Sequence, residues 1–441
     1  MDGALADGRF RRLLAGRAVT NFGDSIYMIA AMWLVYELTG NPFYTGVAGF
    51  LTLAPSAFQF LAGPLADKWR IRRTLVATQL IQALLVVLVP VAQVLDVLTV
   101  WLVLIVMPAI ASLNQLANPT MVAALPRLLD DEDLVEGNSA LAIANQGIDM
   151  IGYGLGGLFV GALGAIGVFL LDAVTFSLAA ALFATVAVPS TTPDSDTADS
   201  SLADPSRNAA RSEDVSVDGG AIPDADDEPY LRRLRSGFSY VYGTVMTWLI
   251  VGAAAVNFTA GIAIAVMPVY ADSLVIPSVL GAIGGAGAYG ILMGSFAAGN
   301  LLGAAGANLV DDRPLGGLLI IGLATGGVLW MGAIAVDWLP ITALLLMGAF
   351  IPVGMVNVHV AALVQSAPPE DLVGRVSSVL GSATAVTIPI GSLIGGTAAG
   401  LVGPRTAMFV VGGGMLLLAV YVLLHPELRA LPQVDQVEIQ N

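Results

Sequence analysis

Gly63-Pro64-Leu65-Ala66-Asp67-Lys68-Trp69-Arg70-Ile71-Arg72-Arg73 puts one acid and four bases within seven residues, between two apolar runs. Phe43 to Ala66 enters this stretch and Thr74 to Leu95 leaves it. Each run exceeds the ~20 apolar residues that cross a bilayer. The spacing predicts a tight hairpin between two membrane helices. Its bases mark the cytoplasmic side, where Lys and Arg accumulate in short loops.

The rest of the chain agrees. Of 441 residues, 56% are hydrophobic and 12% charged. A soluble domain carries about 25% charged residues, so the composition predicts a polytopic, all-α membrane protein. Twelve apolar spans can be drawn, at about 18–38, 43–66, 74–95, 99–124, 139–161, 165–188, 247–271, 284–309, 315–336, 340–364, 376–400 and 404–424. With the N-terminus inside, 17 of the 18 basic residues fall on the cytoplasmic side and only Arg405 falls outside. Both termini are then cytoplasmic and the protein sits in the plasma membrane.

Residues 190–229 hold eleven acids, two arginines and repeated Pro, Ser, Thr and Gly. Such a segment cannot bury enough apolar surface to fold alone. It reads as a disordered acidic cytoplasmic linker between bundles 1–189 and 230–425, with 426–441 as a tail. Tyr230 to Tyr242, with Arg232, Arg233 and Arg235, reads as an amphipathic helix on the inner leaflet.

The two bundles are repeats. Val122-Ala-Ala-Leu and Glu132-Asp-Leu-Val135 recur, at an offset of 238, as Val360-Ala-Ala-Leu and Glu370-Asp-Leu-Val373. Gly152, Gly156 and Gly157 answer Gly391, Gly395 and Gly396 at 239, and Asn21-Phe22 answers Asn257-Phe258 at 236. These glycines are candidates for close helix packing.

No cysteine is present, and His359 and His425 are too few and too far apart for a zinc site. The chain carries no nucleotide-binding loop, no nucleophile elbow and no basic patch outside the membrane loops. The reading is therefore a non-enzyme without cofactor or nucleic-acid partner. Net charge is −15, and Lys68 is the only lysine against seventeen arginines, a balance that resembles a halophilic archaeon.

Gly63, Asp67, Lys68, Arg72 and Arg73 resemble the signature loop of the major facilitator superfamily, with Arg70 standing where many members have glycine. Shorter strings resemble its macrolide-efflux and enterobactin-exporter-like branch: Arg17 with Asn21-Phe-Gly-Asp24, Tyr36 to Asn41, Leu171-Asp-Ala-Val-Thr-Phe176 and Gly374-Arg-Val-Ser377. The resemblance implies twelve helices in two six-helix bundles, with a substrate site between them near mid-membrane. It also implies secondary active transport by a monomer, and a latch in which Asp67 meets Arg375 and the start of its helix when the inside is shut. The glycines from Gly147 to Gly161 resemble the family's antiporter motif, with Tyr153 in place of its proline. The intramembrane arginine of proton-coupled antiporters is missing from span four, where Arg127 falls only at the cytoplasmic end.

Polar residues inside spans mark the candidate pathway, because polarity facing lipid is costly. Asp24 lies about 10 Å along the first span past Arg17 at 1.5 Å per residue, with Asn21 and Ser25 near the same face. Asp149 follows Asn145 and Gln146 by one turn. Span four adds Asn114, Gln115 and Asn118, the seventh span Asn257, and the tenth Asn357 and His359. Asp24 or Asp149 would couple to protons or sodium, with a static Arg17–Asp24 pair as the plainer alternative. Asp172 reads as structural. Tyr27, Met28, Trp33 and Tyr153 suit a bulky, partly apolar substrate, so the expectation is export of amphiphilic small molecules. Uptake of a metabolite, or a receptor or assembly factor keeping the fold, are the alternatives.

Overall fold

The computed structural model describes residues 3–61, 70–187, 242–366 and 370–433, and what it describes is helical. The helices are α1 (Gly8–Thr39), α2 (Pro42–Leu53), α3 (Ile71–Val94), α4 (Val100–Val122) and α5 (Leu134–Ala184) in the first half. They are α6 (Val245–Asp272), α7 (Gly284–Ala305), α8 (Leu315–Ala335), α9 (Leu339–Ser366), α10 (Glu370–Val402) and α11 (Pro404–Leu424) in the second. Ten helices among the described residues are long and apolar enough to cross a membrane. Large apolar side chains such as Leu84, Ile105 and Leu417 are 64%, 66% and 71% exposed on their outer faces. That is the surface a bilayer would cover.

Local signals set the helix ends. Asp7 caps α1, its side chain accepting from the Arg9 and Phe10 amides. A hydrogen bond from the Arg9 side chain holds the Asp7 carboxyl below its ordinary value. Helix α1 therefore starts about ten residues before the expected span, and its extra turns bury Phe10 and Leu13. Gly40 closes α1 in the left-handed region (φ 60), and Asn41 with Pro42 at the first helical position opens α2.

Three expected spans come out differently. The run from Phe43 is α-helical only to Leu53 and continues as a 3-10 helix over Ala54–Leu61. Pro55 lacks an amide hydrogen and crowds the preceding turn, which favours the tighter winding. Spans five and six form one 51-residue element, α5, with its single break at Gly164 (φ 71, ψ 163). Without a Cβ, Gly164 turns the chain there with no intervening loop. The acidic segment 190–229, the expected surface helix 230–242 up to Val241, and Gly63, Asp67 and Lys68 lie outside the described residues. So does the Arg375 side chain. Arg72 and Arg73 are exposed at the start of α3.

The repeat is visible in the packing. A Cβ added at Gly152 would strike Ser25, and one at Gly391 would strike Phe258 in the matching helix of the other half. Gly156 lies against Ile26 and Ile29, and Gly395 against Ile262. Gly157 meets the backbone of Gly290 in α7, and Gly396 meets Gly46 in α2. The first two pairs hold each half together, and the third joins the halves through α5–α7 and α10–α2.

One core unites the halves at the end of the bundle where α1 and α6 finish, with Met32, Val35, Met267 and Tyr270 buried in it. At the opposite end, where residues 187 and 242 lie, the core is split. Phe10, Leu75 and Phe183 pack in one cluster, and Met246, Leu363 and Val376 in another. Hydrogen bonds among the described residues bridge the halves toward the united end, from Tyr36 to Asp272 (3.1 Å), from Thr45 to the Ala265 carbonyl (2.7 Å) and from Ser392 to the Gly46 carbonyl (3.2 Å). Tyr36 and Asp272 occupy equivalent places in the repeat, 236 residues apart. Tyr36→Phe deletes one such bond, worth about 0.5–1.5 kcal/mol. The closed population of this face is expected to fall roughly two- to tenfold, read by distances between spin labels on α1 and α6; an unchanged distribution would show that the bond does not hold the face.

Candidate functional site

The first half encloses a cavity of ≈ 280 Å³ between α1, α2, α4 and α5. Arg17, Asn21, Asp24, Ser25, Tyr27 and Met28 reach it from α1, Asn114 and Asn118 from α4, and Asp149 and Tyr153 from α5. The remaining wall is apolar, from Leu53, Met107, Ile110 and Ala111, with Thr52 beside them. Two carboxylates and one guanidinium thus share one space wide enough for water.

Each carboxylate is held by its own donors. Asp149 Oδ1 accepts from Asn21 Nδ2 (2.9 Å) and from Ser25 Oγ (2.8 Å). The Ser25 hydroxyl also lies 2.8 Å from the Asn21 carbonyl, one turn back, and has one proton for the two acceptors. Gly152, one turn after Asp149, brings α5 against Ser25, so close packing and the hydrogen bond reinforce each other.

Asp24 Oδ1 accepts from Asn114 Nδ2 (3.2 Å). Asn114 Oδ1 in turn accepts from Gln82 Nε2 (2.7 Å), Gln82 Oε1 from Gln79 Nε2 (3.2 Å), and Gln79 Oε1 from the Thr20 hydroxyl (2.9 Å). Thr20, Gln79 and Gln82 are each at most 2% exposed. Buried amides of this kind are costly unless paired, and here they pair with one another. Behind α1, Asp172 is fully buried and takes a hydrogen bond from Thr175 Oγ1 (2.9 Å). Among the described residues, Asp172 Oδ2 and the Tyr27 hydroxyl have no hydrogen-bond partner.

Of the residues marked in the sequence, Asn21, Asp24, Asn114, Asn118 and Asp149 come together here. Gln115 does not line this cavity, and the side chains of Asn145 and Gln146 lie outside the described residues. Asn257 and Asn357 line a second, mostly apolar cavity of ≈ 130 Å³ in the other half, with Trp248, Val256, Leu319 and Tyr421 among its walls. At the places equivalent to Asp24 and Asp149 the second half has Ala260 and Ile388, so the acids belong to the first half alone.

His359 lines neither cavity. Its Nε2 lies 3.1 Å from Asp311 Oδ1, and its Nδ1 lies 2.8 Å from the Met355 carbonyl. It ties α9 to the loop before α8, which accounts for its burial without a place in the pathway. Thr20, Gln79 and Gln82 were missed, although two glutamines three residues apart in the apolar α3 were a readable signal. Among the described residues, no group of three or more His, Cys, Asp or Glu is placed to hold a metal ion.

Comparison with known proteins places this arrangement. The family model for the Major Facilitator Superfamily matches residues 13–391. An uncharacterized MFS-type transporter of Bacillus subtilis, YfmI, is 26% identical over 158 residues. That alignment covers 34% of this chain and 38% of the relative, so the chain matches well under half of that protein's length. A bacterial homologue of the human lysosomal transporter Spinster, in an inward-facing, unoccupied conformation, superposes with a TM-score of 0.68 at 12% identity. That match covers 96% of this chain and 97% of the other. The nucleoside transporter NupG gives 0.69 at 12% identity, over 94% and 98%. These two likenesses establish the fold, and the family match over most of the chain establishes membership: the protein is a multi-pass membrane protein of the Major Facilitator Superfamily, a family of transporters and not of enzymes.

Proposed function

We propose that this chain is an ion-coupled exporter of amphiphilic small molecules, working by alternating access. The observation that carries the reading is the pair Asp24 and Asp149, set on separate donor networks in one cavity and shared with Arg17. Carboxylates at membrane depth are expensive and mark ion or substrate pathways. With both ionised, the cavity carries a net charge of −1, which suits a cation, a proton or an amine. Its apolar wall, and the mostly apolar cavity in the second half, suit the rest of an amphiphile.

The united core at one end and the split core at the other support an inward-facing state, with the split end in the cytoplasm. Twelve crossings follow if α5 counts as two spans and the run Pro42–Leu61, α2 with the 3-10 helix after it, counts as one. The efflux branch rests on the short strings around Asp24, Asn41, Asp172 and Arg375. The acidic, lysine-poor composition supports a cell that works in high salt. The latch expected between Asp67 and Arg375 would belong to the opposite state, with the cytoplasmic side shut; the chain acts as a monomer, and the plasma membrane is its site.

Two measurements test this. In proteoliposomes, counterflow of dyes, macrolides and siderophores is expected to be driven uphill by a pH or sodium gradient. Downhill exchange indifferent to both gradients would overturn the coupling. In sealed right-side-out vesicles, added protease is expected to leave residues 190–229 uncut. Cleavage from outside would overturn the orientation.

A further inference from the structure

The polar chain that ends on Asp24 has a direction. Thr20 donates to Gln79, Gln79 to Gln82, Gln82 to Asn114 and Asn114 to Asp24, each bond leaving a hydroxyl or NH₂ group and arriving at an oxygen. The direction is fixed by a backbone group. Gln82 Nε2 also points at the Ile110 carbonyl (3.4 Å), which can only accept. Gln82 must therefore present its NH₂ toward α4. Asn114 must meet it with Oδ1, and this leaves Asn114 Nδ2 facing Asp24.

The chain leaves α1 at Thr20, crosses α3 and α4, and returns to α1 at Asp24, one turn away. It is a closed loop through three helices. Neither Gln82 nor Asn114 can turn alone, because reversing either would set NH₂ against NH₂ on one side and oxygen against oxygen on the other; reversing Gln79 would set oxygen against oxygen at Gln82, although the Thr20 hydroxyl could turn to accept.

We propose that Gln82, supported by Gln79, is a positioning residue that reserves Asp24 Oδ1 as an acceptor and so assigns the transported proton to Oδ2. This deepens the coupling role given to Asp24 above and rests on it. An acid protonated on Oδ1 would set its O–H against the Asn114 N–H; protonated on Oδ2, it keeps that bond. The step is a simple transfer: hydronium in the cavity gives its proton to Oδ2, an O–H bond forms, and water remains. Oδ1 becomes the carbonyl oxygen and still accepts from Asn114. The loop can thus persist through both charge states, and the proton stays on the oxygen not engaged with α4.

The test needs no substrate. The full-length protein in lipid is titrated by infrared spectroscopy, following the C=O stretch of a protonated carboxyl, with the Asp24 band identified by its loss in Asp24→Asn. In Gln82→Met the amide chain is cut beside Asn114. The Asp24 band is expected to move to higher frequency as its carbonyl loses a fixed donor. Its midpoint is expected to move toward alkaline pH, since Asn114, freed to turn, can accept from the protonated acid as well as donate to the carboxylate, while Arg17 and Asp149 in the same cavity are unchanged. Gln79→Met, one hydrogen bond further out, is expected to move both readings in the same direction by less, and it serves if Gln82→Met does not fold. A residue that only packs α3 against α4 would change thermal stability and leave band position and midpoint alone. If the Asp24 band titrates but is unmoved in both variants, the positioning role is wrong and the coupling role stands. If no Asp24-dependent band titrates in the unmodified protein, the coupling role fails first.

Discussion

Gradient-driven transport is expected to vanish in Asp24→Asn and in Asp149→Asn while downhill exchange survives. Both substitutions are close to isosteric. In each, the amide oxygen can take the place of Oδ1, so Asn114 keeps its acceptor in the first variant and Asn21 and Ser25 keep theirs in the second. What is removed is the ability to gain and lose charge. Coupling between two sites is typically worth about 1–3 kcal/mol, or five- to 150-fold in binding. A carrier that has lost it runs only downhill, so the accumulation ratio should collapse toward one. The measurement is uptake of a fluorescent cationic dye into inverted vesicles under an imposed pH or sodium gradient, set against dye counterflow without one. Uphill transport unchanged in both variants would reduce the two acids to structural residues. Loss of exchange together with accumulation would assign them to substrate binding instead.

The second large effect concerns the united face. Gly157→Leu and Gly396→Leu are each expected to hold that face open and stop turnover with little loss of folded protein. A Cβ at Gly157 would overlap the backbone of Gly290, and one at Gly396 would overlap Gly46 and lie 2.6 Å from the Pro42 carbonyl. Backbone cannot swing aside as a side chain can. Even one added methyl in such a contact costs about 1–3 kcal/mol, and leucine exceeds it. Each half keeps its own cluster at the split end, Phe10 and Phe183 in one and Met246 and Val376 in the other, so strain between halves is relieved by separation. Distances across α5–α7 should lengthen and both exchange and accumulation should fall at least tenfold. Gly157→Ala should give the same changes in weaker form. A native distance distribution in Gly157→Leu would show that this contact is not part of the cycle.

The repeat and the places of most spans were legible because they rest on local composition. Gly152, Gly156 and Gly157 matched Gly391, Gly395 and Gly396 in sequence, and the structure sets each pair against corresponding helices of the two halves. Asn21, Asp24, Asn114 and Asp149 were legible because charge or amide inside an apolar span is rare. Their partners were not, since the sequence does not say which helices face each other. Gln79 and Gln82 looked like two polar residues in one span until α3, α4 and α1 were seen around them. The partner of His359 was hidden for the same reason, because Asp311 is 48 residues away in sequence. The winding after Leu53 was missed because hydropathy is blind to what Pro55 does to a helix.

The acids occur in one half only, with Ala260 and Ile388 opposite them, and this bounds how hard the carrier can pump. Two carboxylates open to the cavity can carry at most two protons per cycle. Each charge crossing 100 mV releases roughly 2.3 kcal/mol, so two release roughly 4.6 kcal/mol, and a neutral substrate could be concentrated by about three orders of magnitude. A duplicated acid pair would have raised that ceiling to roughly the square of this value. On the proposed coupling, two repeats of one fold would thus share a single ion site, and two side chains of the first repeat would set the limiting gradient.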